Sequence, residues 1–148
     1  MTQEQRTALF QLIADVILIV WFLNRFFARD ALGDFAGEAG LAALGTMALK
    51  FILITIVVGI VVQILGNVLS GVVNMGELPD QTVDERDTRI RRRGEEIAHW
   101  ATGGSFVIAL ILLATGYSAV TMVATLFLGF ITSDAIGNIA KLVGYMRG

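Results

Sequence analysis

Two carboxylates and three amides lie within otherwise apolar stretches of this sequence, and they are the residues best placed to do chemistry. An acid at the centre of a membrane span costs up to about 2.5–3.5 kcal/mol, so such a side chain usually faces a helix bundle or a water-filled space. The two C-terminal residues of the set are four positions apart, as are its two central amides, so each pair shares one helix face. The predicted intramembrane polar site comprises Asp15, Gln63, Asn67, Asp134 and Asn138.

Three interpretations of this polar set remain open. The amides and acids can stabilise helix packing through hydrogen bonds between helices. Alternatively, Asp15 and Asp134 can titrate in a proton or ion pathway, with His99 at its mouth. The third interpretation is a docking site for a partner's transmembrane helix or for a lipid.

Several classes of function are excluded by residues that the sequence lacks. It has no cysteine and one histidine, which leaves no thiolate chemistry and no histidine cluster for a metal. No phosphate-binding glycine loop and no nucleophile with an adjacent base is present. We therefore expect a non-enzymatic protein with no catalytic, cofactor or metal site and no nucleic-acid partner.

Hydrophobicity indicates that the polar residues are carried by membrane-spanning helices. Of the 148 residues 55% are hydrophobic, and the mean hydropathy is +0.73. About 20 apolar residues make a helix of roughly 30 Å, enough for one crossing. We predict a single all-α integral membrane domain of four transmembrane helices, two hairpins joined by a cytoplasmic amphipathic helix. The expected spans are about 8–27, 47–69, 101–115 and 119–143, with the cytoplasmic helix at about 82–98.

The last apolar block determines the number of spans. No charged residue occurs between Trp100 and Ser133, a stretch too long for one crossing and short for two. Gly116-Tyr117-Ser118 is the natural turn within it. The fourth span must then extend to about Val143, which carries Asp134 and Asn138 into the membrane.

Basic residues predict the orientation. Eight basic residues lie on the same side of the membrane as the central charged segment, and three lie on the other side. Because basic loops stay in the cytoplasm, we expect an inner-membrane protein with both termini in the cytoplasm. Aromatic residues at the far end of the first span are typical of an interfacial belt; these are Trp21, Phe22, Phe26 and Phe27.

The charged segment between the hairpins has helical spacing. Thr82 and Glu85 have the spacing of a capping box, and Glu85–Arg89 is an acid-first i,i+4 pair. One interpretation is a solvated connecting helix; the other is a contact with anionic lipid or an acidic partner. The contact residues would be Arg86, Arg89, Arg91, Arg92, Arg93 and His99. Five acids match the five arginines between Asp84 and Glu96, which is unlike a polybasic lipid switch.

Small residues recur at every fourth position on spans two and four, which is typical of close helix packing. The predicted packing seam comprises Gly59, Gly129, Ser133 and Gly137. Two such seams exceed what one four-helix bundle needs, so we expect an accessory or assembly partner of other membrane subunits, or self-association. The alternative is a small oligomeric ion or proton-coupled transporter that uses Asp15 and Asp134.

The central segment also carries a family resemblance. A first hairpin is followed by Asp84-Glu85-Arg86-Asp87 with Ile90, and Ala98 and Trp100 then lead into a second hairpin. This arrangement resembles a family of small uncharacterised prokaryotic four-span membrane proteins. Those proteins carry a D-E-R-D-x-x-I signature in their central loop. The resemblance implies the four-span architecture and no particular activity.

Overall fold

The chain folds into four long α-helices in a computed structural model that describes residues 3–37, 39–73 and 85–147. The all-α prediction is therefore confirmed. The helices are α1 (Gln3–Ala31), α2 (Gly40–Val73), α3 (Glu85–Ala114) and α4 (Ala119–Met146).

Each helix is long and apolar enough to cross a membrane. The crossing segments have 27 to 30 residues, or about 40–45 Å, against a hydrocarbon core of about 30 Å. Large apolar side chains are widely exposed on the outer faces, for example Ile17, Leu53 and Ile111. The composition and length of the helices are those of a multi-pass integral membrane protein, as the sequence predicts.

α4 is the central helix of the bundle and contacts all three others, whereas α3 packs mainly on α4. Aromatic contacts show the relative directions of the helices. The Phe22 ring lies 5.0 Å from that of Phe127, and Trp21 stacks on Phe51 at 5.5 Å. Together with the Asp15–Asn138 contact described below, these pairings place α1 antiparallel to both α2 and α4.

Small residues allow α3 and α4 to approach closely along most of their length. Gly129 faces Ser105, and a Cβ atom at Gly137 would lie 3.0 Å from that of Ala98. Ser133, on the same face of α4, is buried, and its hydroxyl donates to the carbonyl of Phe130 at 2.7 Å. The three seam positions of span four therefore lie in or beside the α3–α4 interface.

The charged segment, expected as a helix at about 82–98, runs into the third span as one helix. α3 extends without a break from Glu85 to Ala114, and residues 82–84 lie outside the described parts of the chain. Its charged half packs on α4: Gly94 lies under the stem of Lys141, and Gly144 faces Ile90. The charged half of α3 therefore lies along α4.

The turn between α3 and α4 lies at Gly116 and Tyr117. Gly116 has a φ of 89°, and its N–H donates to Leu113 at 3.1 Å while that of Tyr117 donates to Leu112 at 3.0 Å. This is a Schellman C-cap with glycine in the left-handed position. Ser118 then caps α4 by accepting the N–H of Thr121 at 3.2 Å.

The aromatic residues at the end of α1 divide between a packed core and the outer surface, where Trp21 and Phe27 are exposed; the interfacial belt stays a prediction. Phe22 is 2% exposed and lies against Phe51 and Phe127. Phe26 stacks on Phe35, at a centroid distance of 5.1 Å. These rings form a core between α1, α2 and α4, because facing helices supply aromatic partners that a single span does not reveal.

Candidate functional site

The polar site is centred on one hydrogen bond between α1 and α4. The Nδ2 of Asn138 donates to Oδ2 of Asp15 over 2.9 Å. Asn138 is buried and Asp15 is half-buried. The two side chains lie far apart in the sequence, and the antiparallel packing of the helices brings them together.

A cavity of about 300 Å³ lies beside this hydrogen bond, between α1, α2 and α4. Its lining combines a few polar side chains with many apolar ones. The polar lining residues are Gln11, Asp15, Thr55 and Asp134, and Gly59 contributes backbone surface. At about 30 Å³ for each water molecule, a cavity of this size accommodates about ten waters or a whole side chain from another molecule.

Asp134 differs from Asp15 in its surroundings. Its side chain is exposed on the cavity side of α4 and makes no hydrogen bond or ion pair within the described parts of the chain. Lys141, two turns further along α4, interacts electrostatically with both carboxylates. The site thus joins two acids and one base, and the two acids also interact with each other.

Two members of this site were not among the residues predicted from the sequence. Gln11 lies one turn before Asp15 on the same face of α1, and Lys141 follows Asn138 by three residues on α4. Helical spacing from the acids could have indicated both. Gln11 is near the start of its span and Lys141 near the end of its own, where polar residues are common, so neither stood out.

Of the two amides predicted on α2, only the side chain of Gln63 is described, and it does not join the site. Gln63 is exposed and is not part of the cavity lining, and the side chain of Asn67 lies outside the described residues. Gly59 lines the cavity, but a Cβ atom built on it would meet nothing within 4 Å. The α2 face that was predicted as a packing seam therefore has open space beside Gly59 within one copy of the chain.

The predicted cytoplasmic contact residues lie on different sides of α3. Arg91 approaches Glu95, with Nη1 and Oε1 3.7 Å apart. Arg89, Arg92 and Arg93 line a shallow depression with Glu96 and Trp100, while Arg86 is exposed near the start of the helix. The ring of His99 is exposed, and its Nδ1 lies 3.3 Å from the carbonyl oxygen of Glu95 on the same helix.

Comparison of the chain with protein-family models, with curated proteins and with solved structures finds no match to any of them. The resemblance to the family with the D-E-R-D-x-x-I loop therefore stays a prediction. Its first residue, Asp84, also lies outside the described parts of the chain.

Proposed function

We propose that this protein is a non-enzymatic membrane subunit that assembles with other membrane components through the groove between α1, α2 and α4. The observation that carries the proposal is the exposed carboxylate of Asp134 on the open side of a cavity that also contains Asp15. Hydrocarbon facing this surface would leave polar atoms without partners, at a cost of several kcal/mol. A polar side chain on a partner helix would provide those hydrogen bonds.

The shape of the groove supports a helix as the partner. Thr55 and Gly59 are one turn apart on α2, and the space above Gly59 is open. Small residues of this kind let two helix backbones approach closely. An approaching helix would meet Gly59 on one side and Asp134 on the other, so the same surface offers close packing and a hydrogen-bonding group.

Cross-linking through single cysteines tests the proposal, because the natural chain has none. Gly59→Cys, placed in the groove, should form a cross-link to a partner or to a second copy in native membranes. Ile108→Cys is the matched control, since Ile108 is exposed on α3 away from the groove. Equal cross-linking at both positions, or a chain that purifies strictly as a lone monomer from native membranes, would contradict the proposal.

A second candidate function is ion or proton-coupled transport. It is favoured by Asp15 and Asp134, which line one cavity, and by Lys141, which interacts electrostatically with both carboxylates. Flux should be measured in proteoliposomes for the natural protein, Asp15→Asn and Asp134→Asn, with Asp30→Asn as the control outside the site. Absence of flux, or flux that is indifferent to the two site variants, would rule out transport.

We further propose that the chain lies in the inner membrane as two hairpins with both termini and the connection between α2 and α3 in the cytoplasm. The excess of basic residues at that end supports this orientation. In intact cells, a membrane-impermeant maleimide should label Tyr117→Cys and should reach Met146→Cys only after lysis. The reverse pattern would invert the topology.

A further inference from the structure

A second groove lies between α3 and α4 at the end of the bundle that carries most of the basic residues. It has a volume of about 450 Å³ and is bordered by arginines over an apolar floor. Its arginines are Arg89, Arg93 and Arg147, and its floor includes Ile90, Ile97 and Val143.

The charge in this groove is of one sign. Among residues 3–37, 39–73 and 85–147, no acidic side chain lines it, although the central segment of the sequence is balanced in charge. The helix separates the charges by face: Arg91 pairs with Glu95 away from the groove. Glu96 lies in the adjoining depression with Arg89 and Arg93, where the basic residues outnumber it. The groove is therefore complementary to an anion.

The depth of the groove suits a lipid head group. The uncharged run from Ile97 to Ala114 has 18 residues, or about 27 Å of helix, which is close to the thickness of the hydrocarbon core. The membrane boundary then falls near Ile97. Arg93 lies about one turn beyond it and Arg89 about two turns, within reach of the head-group layer through their long side chains. Trp100 is 76% exposed near the same boundary, where tryptophan is enriched.

We propose that this groove binds the phosphate of an anionic phospholipid. Guanidinium groups bind phosphate through charge-assisted and often bidentate hydrogen bonds. Arg89 and Arg93, one turn apart on α3, would contact the phosphate together with Arg147 of α4. The apolar floor at Ile97 and Val143 would lie against the upper part of an acyl chain. The site is separate from the groove that contains Asp134, so each proposal can fail without the other.

Native mass spectrometry of the protein in detergent tests the site with phosphatidylglycerol as the probe and phosphatidylcholine, whose choline cation balances its phosphate, as the zwitterionic control. We expect phosphatidylglycerol to be retained in preference. Each arginine of the groove changed to glutamine should weaken that retention about fivefold, and the triple variant should lose the preference. Inorganic phosphate, added in a separate arm, should not displace the lipid; displacement at equal concentration would overturn the assignment to a lipid.

Two controls separate a site from general charge. Arg91→Gln removes the same charge from the opposite side of α3 and should leave retention unchanged. A second triple variant removes three positive charges from the other end of the bundle and so matches the first in charge. It carries Arg25→Gln, Arg29→Gln and Lys50→Gln. Equal losses in the groove variants and these controls would overturn the proposal. A second result would also overturn it: the two lipids are retained equally, and an acidic protein that binds the natural chain no longer binds the triple variant. The groove would then bind that protein. Thermal unfolding of every variant identifies those that fail to fold. If the triple variant fails to fold, the single arginine variants test the site.

Discussion

Asn138 donates a hydrogen bond to Asp15 across 123 positions of the chain, with 2.9 Å between the two atoms. It is a direct polar link between α1 and α4. The bond places an amide donor beside a carboxylate where these two helices pack together. It joins helices from the two ends of the chain.

The first prediction concerns this bond. Asn138→Ala should lower the free energy of unfolding by about 1–2 kcal/mol, because the Asp15 carboxylate loses its donor. In a double-mutant cycle, Asp15→Ala with Asn138→Ala should cost less than the sum of the single changes. Unfolding in mixed micelles measures these quantities. Asn24→Ala, at an exposed amide of α1, should be close to neutral, and strict additivity of the two site changes would contradict the coupling.

The second prediction compares two glycines. Gly129→Ala should destabilise the protein by about 1–3 kcal/mol, because the new methyl group would overlap with the Ser105 side chain. Gly59→Ala should cost little in a lone copy, since the space there is open. Both are measured by thermal unfolding in detergent. If Gly59→Ala is harmless to folding but reduces cross-linking in native membranes, the assembly surface is supported; equal destabilisation by the two changes would contradict the packing described above.

The third prediction concerns the turn between α3 and α4. Gly116→Ala should cost about 1 kcal/mol or more, because alanine is strained at a φ of 89°. Gly104→Ala is the control: Gly104 lies within α3 with open space around it, so alanine should be neutral or slightly stabilising. The two variants are compared by their unfolding midpoints. A Gly116 variant as stable as the Gly104 variant would show that the left-handed conformation is not required.

The fourth prediction tests the aromatic core. Phe22→Ala should lower stability by about 1–3 kcal/mol, less than in a water-soluble core, because lipid reduces the transfer term and leaves the packing term. Phe27→Ala should have a smaller effect, since Phe27 is 62% exposed. Chemical unfolding of the two variants provides the comparison. A larger loss at Phe27 would contradict the aromatic core.

Much of the architecture could be predicted because membrane-spanning helices are encoded locally. Runs of apolar residues set the number of helices, since each crossing needs about 20 of them. The turn at Gly116 followed from the length of the uncharged block and from glycine's access to positive φ. The packing of the charged half of α3 along α4 could not be predicted, because it depends on Gly94 and Gly144 lying against side chains of the opposite helix.

The unusual residues of the polar site can be recognised in the sequence, because acids and amides inside apolar spans are costly to bury. Which of these residues contact each other is seen only in the folded protein. The tertiary structure brought Asp15 to Asn138 and left Gln63 exposed, because helix rotation and register depend on how the faces of all four helices pack together. It likewise separated a charge-balanced segment into a paired face and a groove of three arginines, since net charge carries no information about direction around a helix.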